Sequence, residues 1–410
     1  MTVNKLFIIG ILFVLNACSL ESKNSPGIVS KINPKPYVLL ISLDGFRWDY
    51  VNKYQPKFLS QFAKESAHLT SLRPTFPTKT FPNHLSIVTG SYPENHGIVA
   101  NRFYAPDLNK TYSIRDSEAV TNPDFYLRKP LWIIAEEQNM RTANYFWPSS
   151  EAAIAGISPS HFKKYNHNAS HQERIDGVLN WYQLPPGERP QLITTYFHDI
   201  DSAGHGFGQD SPELVAAINR VDSTIGEMVE KVRALDFEVN IIIVSDHGMA
   251  DYPAENYEYL PNWLNDEYKV LASNPITLIY DEGKSTRTLA QTVTQLNQQA
   301  THYKCYQYQD IPAKFNASKS SRIGDIACLT DNDWSIGFTG KTSKGNHGWS
   351  QFDTTDMDGI FYAQGPAFKK AYQLDTAENI NIMPLIAEIL GLEITTAIDG
   401  KLATMKPLLK

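Results

Sequence analysis

Residues 37–45 read Tyr-Val-Leu-Leu-Ile-Ser-Leu-Asp-Gly, a continuous apolar run that ends in an aspartate and a glycine. An unbroken run of this length, bounded by polar turns, is typical of a strand buried on both faces of a parallel sheet. The same pattern recurs at residues 192–197, 239–245, 276–280 and 359–363. Together with residues 37–42, these runs predict the buried parallel strands of one sheet.

Amphipathic helical segments lie between the apolar runs. In residues 212–235, apolar side chains such as Leu214, Ile218, Ile225 and Val232 recur at helical spacing. Residues 379–390 have the apolar content of a helix that packs on the same sheet. Alternating strands and helices predict an α/β fold in which helices sandwich a central, mainly parallel β-sheet.

The composition fits one large globular domain. The chain has 410 residues, of which 42% are hydrophobic and 20% charged, enough apolar material for a large core. We find no convincing linker between residues 36 and 405, so we expect a single domain over 36–405. The formal net charge of -7 argues against a nucleic-acid-binding surface. Nothing in the sequence implies a protein partner.

The N-terminal residues are predicted to be a targeting segment. Lys5 precedes an apolar run over residues 6–15, which is too short to span a bilayer and resembles a secretory signal. Residues 15–18, Leu-Asn-Ala-Cys, resemble a bacterial lipobox, which predicts a signal peptide over 1–18 that ends at a lipidated Cys18. Residues 19–35 would be a polar tether, and the protein would be exported and lipid-anchored to a bacterial membrane, in the periplasm or at the cell surface. The alternatives are an uncleaved anchor and a signal cut at another small residue.

Two cysteines remain if Cys18 is acylated. These are Cys305 and Cys328, and in an oxidising compartment an even remainder suggests a disulfide. Two unpaired buried thiols are the alternative.

Polar side chains follow three of the predicted strands directly. Asp44 ends the first run, Asp201 and His205 follow residues 192–197, and Asp246 and His247 follow the run that begins at 239. In a parallel sheet these positions lie at the carboxyl edge, where open α/β folds bind ligands. Converging carboxylates repel each other unless a cation is present, and aspartates with histidines suit zinc better than magnesium or calcium.

His347, in Gly345-Asn346-His347-Gly348, is a further candidate ligand, although flexible residues surround it. Taken singly, each candidate has an ordinary explanation as a turn residue, a helix cap or a solvated histidine. Four such clusters in this order favour a shared metal site.

Thr80 is the candidate nucleophile. It lies in Pro-Thr-Lys-Thr-Phe-Pro-Asn-His, residues 77–84, where Pro82 suits the first turn of a helix that continues through 85–89. Free backbone N–H groups at a helix N-terminus can hold a phosphate, and coordination to zinc would deprotonate the hydroxyl. A simple capping threonine is the alternative.

These motifs resemble the nucleotide pyrophosphatase/phosphodiesterase family (type I phosphodiesterases) of the alkaline phosphatase superfamily, and the chain looks like a bacterial member. The resemblance covers residues 37–400 and is carried by segments 78–84, 92–98, 146–148, 201–205, 245–249, 347–348 and 361–366. It implies an alkaline-phosphatase-like fold, with 36–405 as the catalytic phosphodiesterase domain.

The resemblance also implies a ligand set and two Zn²⁺ ions per chain. One ion would be held by Asp201, His205 and His347, and the other by Asp44, Asp246 and His247, with Thr80 as the fourth ligand. The implied reaction cleaves phosphodiester or pyrophosphate bonds of nucleotides through a phosphothreonine on Thr80 and releases nucleoside monophosphates.

The substrate contacts implied by the resemblance involve three further residues. Asn101 would donate a hydrogen bond to a non-bridging phosphate oxygen, and Phe81 and Tyr196 would sandwich a nucleobase. Ordinary aromatic packing is the alternative for the last two.

The sequence departs from the family pattern beside the ligands. Residues 198–201, His-Asp-Ile-Asp, stand where many members carry Glu-Glu-Pro-Asp, and segments 147–150 and 347–350 also differ. These changes alter the rim of the pocket. Three alternatives therefore remain: a glycerophosphodiester or phospholipid phosphodiesterase, a phosphomonoesterase, and a non-catalytic lipoprotein. A phosphomonoesterase should offer extra basic groups.

Overall fold

The computed structural model describes Met1 and residues 36–340 and 343–410. The predicted lipobox at Cys18 and the predicted tether at 19–35 lie outside the described residues. Residues 36–340 and 343–410 belong to one compact unit.

The strands of the described residues are, in chain order, β1 (Tyr37–Leu43), β2 (Ala67–Leu69), β3 (Leu72–Arg73), β4 (Arg102–Ala105), β5 (Lys110–Ser113), β6 (Thr142–Tyr145), β7 (His161–Lys163), β8 (Leu192–Phe197), β9 (Val239–Val244), β10 (Ala250–Asp251), β11 (Tyr257–Tyr259), β12 (Tyr268–Ser273), β13 (Ile276–Asp281), β14 (Tyr303–Gln307), β15 (Ile326–Thr330), β16 (Ser335–Gly337), β17 (Gly345–Asn346), β18 (Phe361–Gln364), β19 (Tyr372–Leu374) and β20 (Ala377–Glu378).

The α-helices of the same residues are α1 (Tyr50–Tyr54), α2 (Lys57–Glu65), α3 (Thr80–Thr89), α4 (Pro93–His96), α5 (Ser117–Thr121), α6 (Leu131–Glu137), α7 (His171–Tyr182), α8 (Asp199–Phe207), α9 (Pro212–Arg233), α10 (Trp263–Glu267), α11 (Leu289–Gln299), α12 (Ile382–Leu390) and α13 (Leu402–Met405).

The central sheet has eight strands in the order β19-β2-β18-β9-β1-β8-β6-β7. The strands β9, β1, β8, β6 and β7 are mutually parallel, and β18 is antiparallel to both of its neighbours. In register, Ser42 of β1 lies between Tyr196 of β8 and Val244 of β9, so the three strands end at the same edge. The predicted mainly parallel sheet is therefore confirmed.

Helices cover both faces of this sheet. Alternate residues of β1 point to opposite sides, as the period of a strand requires. Leu39 and Ile41 pack in a cluster with residues of α2, α7 and α9, whereas Val38 and Leu40 pack with residues of α3, α6 and α12. The sandwich predicted from the alternating pattern is confirmed.

Two of the predicted parallel strands are antiparallel. The run at 359–363 becomes β18, which joins the central sheet in the opposite direction. The run at 276–280 becomes β13, which belongs to a separate antiparallel sheet in the order β12-β13-β15-β14. An apolar run indicates burial, but it carries no information on direction or on partner strands. The helix expected over 379–390 also begins later, because residues Asn379–Asn381 form a 3₁₀ turn before α12.

The second sheet contains the disulfide that the cysteine count suggested. Cys305 on β14 lies directly opposite Cys328 on β15, and their sulfur atoms are bonded. Leu296 of α11 packs in the same buried cluster as both cysteines.

Among the described helices, none has the length and apolar character needed to cross a membrane.

Candidate active site

Three predicted ligands meet in what we call the inner cluster, which consists of Asp44, Asp246 and His247. Asp44 directly follows β1, and the other two follow the adjacent parallel strand β9. All three are buried. The Nε2 atom of His247 lies 3.0 Å from Oδ2 of Asp246 and 3.4 Å from Oδ1 of Asp44. Parallel strands that end in register therefore bring these side chains together.

The other three predicted ligands form the outer cluster of Asp201, His205 and His347. Asp201 and His205 lie one turn apart on α8, and His347 follows β17. The Nε2 atoms of the two histidines are 3.2 Å apart, and Oδ1 of Asp201 lies 3.4 Å from the first and 3.6 Å from the second. The two groups predicted from sequence are thus both assembled.

The orientation of the three histidines fits a metal at each cluster. Nδ1 of His205 lies 2.9 Å from the carbonyl oxygen of Gly345, Nδ1 of His247 lies 2.8 Å from that of Gly248, and Nδ1 of His347 lies 2.7 Å from that of Thr78. Donation from Nδ1 to a carbonyl leaves the Nε2 lone pair directed into the cluster, as in metal sites whose histidines are held by a second hydrogen bond.

The carboxylates also fit a cation. One buried oxygen each of Asp44, Asp201 and Asp246 has no hydrogen-bond partner among the described residues. Burial raises the pKa of Asp44, and the charges of Asp246 and Asp201 raise it further. Carboxylates in this position repel each other, and a divalent cation between them would remove the repulsion.

Thr80 begins α3 and faces the inner cluster. Its Oγ1 lies 3.4 Å from Nε2 of His247, and the residue is 8% exposed. The helix N-terminus has fewer free donors than expected, because the N–H of Phe81 donates to Oδ1 of Asn101 at 3.0 Å and Pro82 has no N–H. The same hydrogen bond orients Asn101, whose amide N–H groups are then left to donate elsewhere.

Two residues that sequence reasoning missed hold the nucleophile in place. Nζ of Lys79 donates to the carbonyl oxygen of His347 at 2.6 Å, which ties the start of α3 to the outer cluster. The imidazole of His84 lies 2.9 Å from the carbonyl oxygen of Thr80 and 2.8 Å from the hydroxyl of Ser42 on β1. Both lie within the quoted segment 77–84, but a motif does not reveal which of its side chains are structural.

A pocket of about 550 Å³ opens beside the clusters, with Asp44, Thr80 and Asp201 in its wall. Phe81 lines it as expected. Tyr196 also lines it, but it is only 7% exposed, and its hydroxyl donates to Oδ2 of Asp44 at 2.5 Å. This contact makes Tyr196 a support for the inner cluster.

A second aromatic side chain, Tyr165, lines the same pocket and is 44% exposed. It lies on the loop between β7 and α7. Its ring is therefore more accessible to a ligand than that of Tyr196. Sequence reasoning missed it, because a tyrosine in a polar loop gives no signal of its surroundings.

The fold and the site define the class of protein. Human ectonucleotide pyrophosphatase/phosphodiesterase 5 has a similar structure, with a TM-score of 0.86 and 30% identity over 91% of this chain and 100% of that one. An inactive murine variant of the same protein, in which a threonine is replaced by alanine, was solved in complex with AMP; it has a TM-score of 0.85 and 28% identity over 92% of this chain and all (100%) of that one. The chain therefore has the alkaline-phosphatase-like α/β fold.

Sequence comparison then defines the family. A model of the type I phosphodiesterase/nucleotide pyrophosphatase family matches residues 38–350. Human ectonucleotide pyrophosphatase/phosphodiesterase family member 1 is 35% identical over 388 residues, which are 91% of this chain and 42% of that protein. The chain belongs to the type I phosphodiesterase/nucleotide pyrophosphatase family, and it spans less than half the length of this curated relative.

Proposed function

We propose that the chain is a two-zinc hydrolase that cleaves phosphodiester and pyrophosphate bonds of nucleotides, with Thr80 as the nucleophile. The observation that carries the proposal is the position of the Thr80 hydroxyl, 3.4 Å from Nε2 of His247 at the wall of a pocket beside both clusters. Membership of the family supports the same reaction.

The two clusters are the proposed zinc sites. The inner cluster with Thr80 would hold one ion and the outer cluster the other. Zinc at these positions would supply Lewis-acid stabilisation of the phosphate charge and would lower the pKa of a hydroxyl or water. The chain itself holds the nucleophile through Lys79 and His84 and excludes bulk water from the buried inner cluster.

Phosphoryl transfer to Thr80 and subsequent hydrolysis would account for release of a nucleoside monophosphate. The Thr80 oxygen would form a bond to phosphorus as the bond to the leaving oxygen breaks, and water would then cleave the phosphothreonine. Asn101 would donate from its amide to a non-bridging phosphate oxygen, because its side-chain oxygen already accepts from Phe81. Positioning and charge stabilisation supply most of the acceleration in such reactions.

The proposed nucleobase site lies between Phe81 and Tyr165. The rings of Phe81 and Tyr165 both line the pocket. We assign the second stacking position to Tyr165 instead of Tyr196, because the Tyr165 side chain is far more exposed. The AMP complex of the murine relative supports a nucleotide as the ligand. Base–aromatic stacking contributes roughly 1–3 kcal/mol per base.

A phosphomonoesterase should offer extra basic groups, and Arg115 lines the pocket. A guanidinium at this position would bind the second charge of a monoester, so the substrate panel includes a monoester. Export and lipid anchoring at Cys18 belong to the same proposal and rest on the sequence alone.

Two variants and a substrate panel test the proposed function. Thr80→Ala should lose several orders of magnitude in kcat while its zinc content stays largely intact, because Asp44, Asp246 and His247 remain. Thr80→Ser should retain substantial activity because the attacking oxygen survives. Chelation should abolish hydrolysis and zinc should restore it. Near-normal turnover by Thr80→Ala would contradict the nucleophile. Faster cleavage of a monoester or of a glycerophosphodiester than of a nucleotide would contradict the substrate class.

A further inference from the structure

Tyr165 lies on a loop, so its ring needs support before a base can stack on it. The chain between β7 and α7 has no regular structure at this residue. An exposed ring that is free to rotate loses entropy on stacking, which weakens binding. The contacts of the ring therefore bear directly on how well the pocket can hold a base.

A short chain of contacts links Tyr165 to the helix that carries the outer cluster. The hydroxyl of Tyr165 lies 3.1 Å from Nδ1 of His167. The rings of His167 and His198 are 4.1 Å apart at 34°. His198 is the residue immediately before α8, which bears Asp201 and His205.

The chemical states of these groups suit the arrangement. Burial and the charge of Asp44 raise the pKa of Tyr165 to about 12, so its hydroxyl stays protonated and can donate to Nδ1 of His167. Burial lowers the pKa of His198 to about 4, so its ring is neutral near pH 7. A neutral imidazole can pack against the ring of His167, which lies 4.1 Å away at 34°.

Other contacts place the Tyr165 ring but do not hold its hydroxyl. The ring of Phe146 lies 5.5 Å away at 77°, and the backbone N–H of Tyr165 donates to Glu151 at 2.8 Å. These contacts limit the position of the ring. The hydrogen bond to His167 adds the restraint at its far end.

We infer that His167 and His198 are positioning residues that hold Tyr165 in the orientation in which a nucleobase stacks, and that they thereby set the preference for substrates with a base. The inference rests on the proposed function, because it concerns the same pocket. Neither histidine is expected to touch the phosphate.

The test compares two diesters with the same leaving group, thymidine 5′-(p-nitrophenyl phosphate) and methyl p-nitrophenyl phosphate. His167→Ala and Tyr165→Phe each remove one partner of the same hydrogen bond, so each should raise KM for the thymidine ester roughly fivefold with little change in kcat. The double variant should be no worse than either single variant, because the two changes act on one interaction. Hydrolysis of the methyl ester by His167→Ala should be unaffected.

Conservative variants separate the two contacts. His167→Asn keeps an acceptor near Nδ1 and should recover part of the lost affinity, and His198→Phe should retain the ring contact that His198→Ala removes. His302→Ala is the matched control, because His302 stacks on Trp334 at 3.5 Å but does not line the pocket. Unchanged KM in His167→Ala, or effects that simply add in the double variant, would overturn the inference.

Calorimetric binding of AMP to the same variants decides the inference independently of turnover. If the unmutated protein cleaved neither ester, the proposed function would fail, yet weaker AMP binding by His167→Ala and Tyr165→Phe would still support the positioning role. Equal AMP affinity in all variants would overturn it.

Discussion

Tyr196→Phe removes a single hydroxyl and should weaken the inner zinc site without affecting base recognition. The hydroxyl donates to Oδ2 of Asp44 at 2.5 Å, while Oδ1 of the same carboxylate has no hydrogen-bond partner among the described residues. The hydrogen bond therefore fixes one oxygen and leaves the other to face the cluster. Phenylalanine keeps the ring and its packing, so the change isolates this bond.

The magnitude follows from the charge and burial of Asp44. A hydrogen bond to a charged group contributes about 1.5–3 kcal/mol, and burial already raises the pKa of Asp44. Loss of the donor should raise that pKa further and favour the protonated carboxyl, which is a poorer ligand. Removal of such a supporting partner typically costs about 10- to 100-fold in metal affinity, which matches the energy of the bond.

The assay is a zinc titration in a metal buffer, read both as bound zinc and as hydrolysis of a diester without a base. The half-saturation concentration of zinc should rise 10- to 100-fold in Tyr196→Phe, by the estimate above, and excess zinc should restore most of the activity. Base-bearing and base-free diesters should be affected equally. An unchanged zinc titration would refute this reasoning. A loss confined to nucleotides in a Tyr196→Leu variant would instead support the stacking role predicted from sequence.

Three further predictions concern other parts of the chain. Gly45→Ala should lower activity and reduce the free energy of unfolding by roughly 1–2 kcal/mol, because Gly45 has a φ of +68° and a Cβ there would lie 2.9 Å from Cα of Asp201. Gly187→Ala is the control, because a Cβ at that position meets nothing within 4 Å. Equal behaviour of the two variants in unfolding and turnover would contradict this reasoning. Replacing Cys305 and Cys328 by serine should lower the free energy of unfolding by about 3 kcal/mol with little change in kcat, measured in denaturant; an unaltered unfolding curve would refute it. Cys18→Ser should shift the protein from the membrane fraction to the soluble fraction, and continued membrane association with normal signal processing would show that the lipobox assignment is wrong.

The convergence of several ligands could be predicted from sequence because these residues follow strand ends, whereas the division into two clusters and the place of His347 were implied by the family resemblance. Asp44 and Asp246 come directly after apolar runs that are also buried strands in the structure, and parallel pairing in register then brings them together. The apolar runs and the polar residues that follow them can both be recognised from a few neighbouring residues in the sequence. Local patterns therefore carried enough information for this part of the site.

Features that depend on tertiary contacts could not be predicted in the same way. The antiparallel direction of β18 and the separate sheet that contains β13 depend on which strands are neighbours, and the apolar runs do not encode this. The exposure of Tyr196 and Tyr165 likewise depends on tertiary contacts and could not be predicted from the sequence. Their exposures of 7% and 44% result from packing on other elements, so the pocket wall was only partly foreseen.

The spacing of the two clusters is set by the backbone as well as by the ligands. The N–H of Asp201 donates to the carbonyl oxygen of Asp44 at 3.1 Å, and Gly45 permits this close approach because it has no side chain. Lys79 makes a second tie, from the start of α3 to the carbonyl oxygen of His347. A change in one ligand should therefore impair its own cluster first. A substitution at Gly45 or Lys79 should displace the clusters, or Thr80, relative to one another. Such a displacement should impair the reaction even when every ligand is intact, because phosphoryl transfer depends on the placement of its groups.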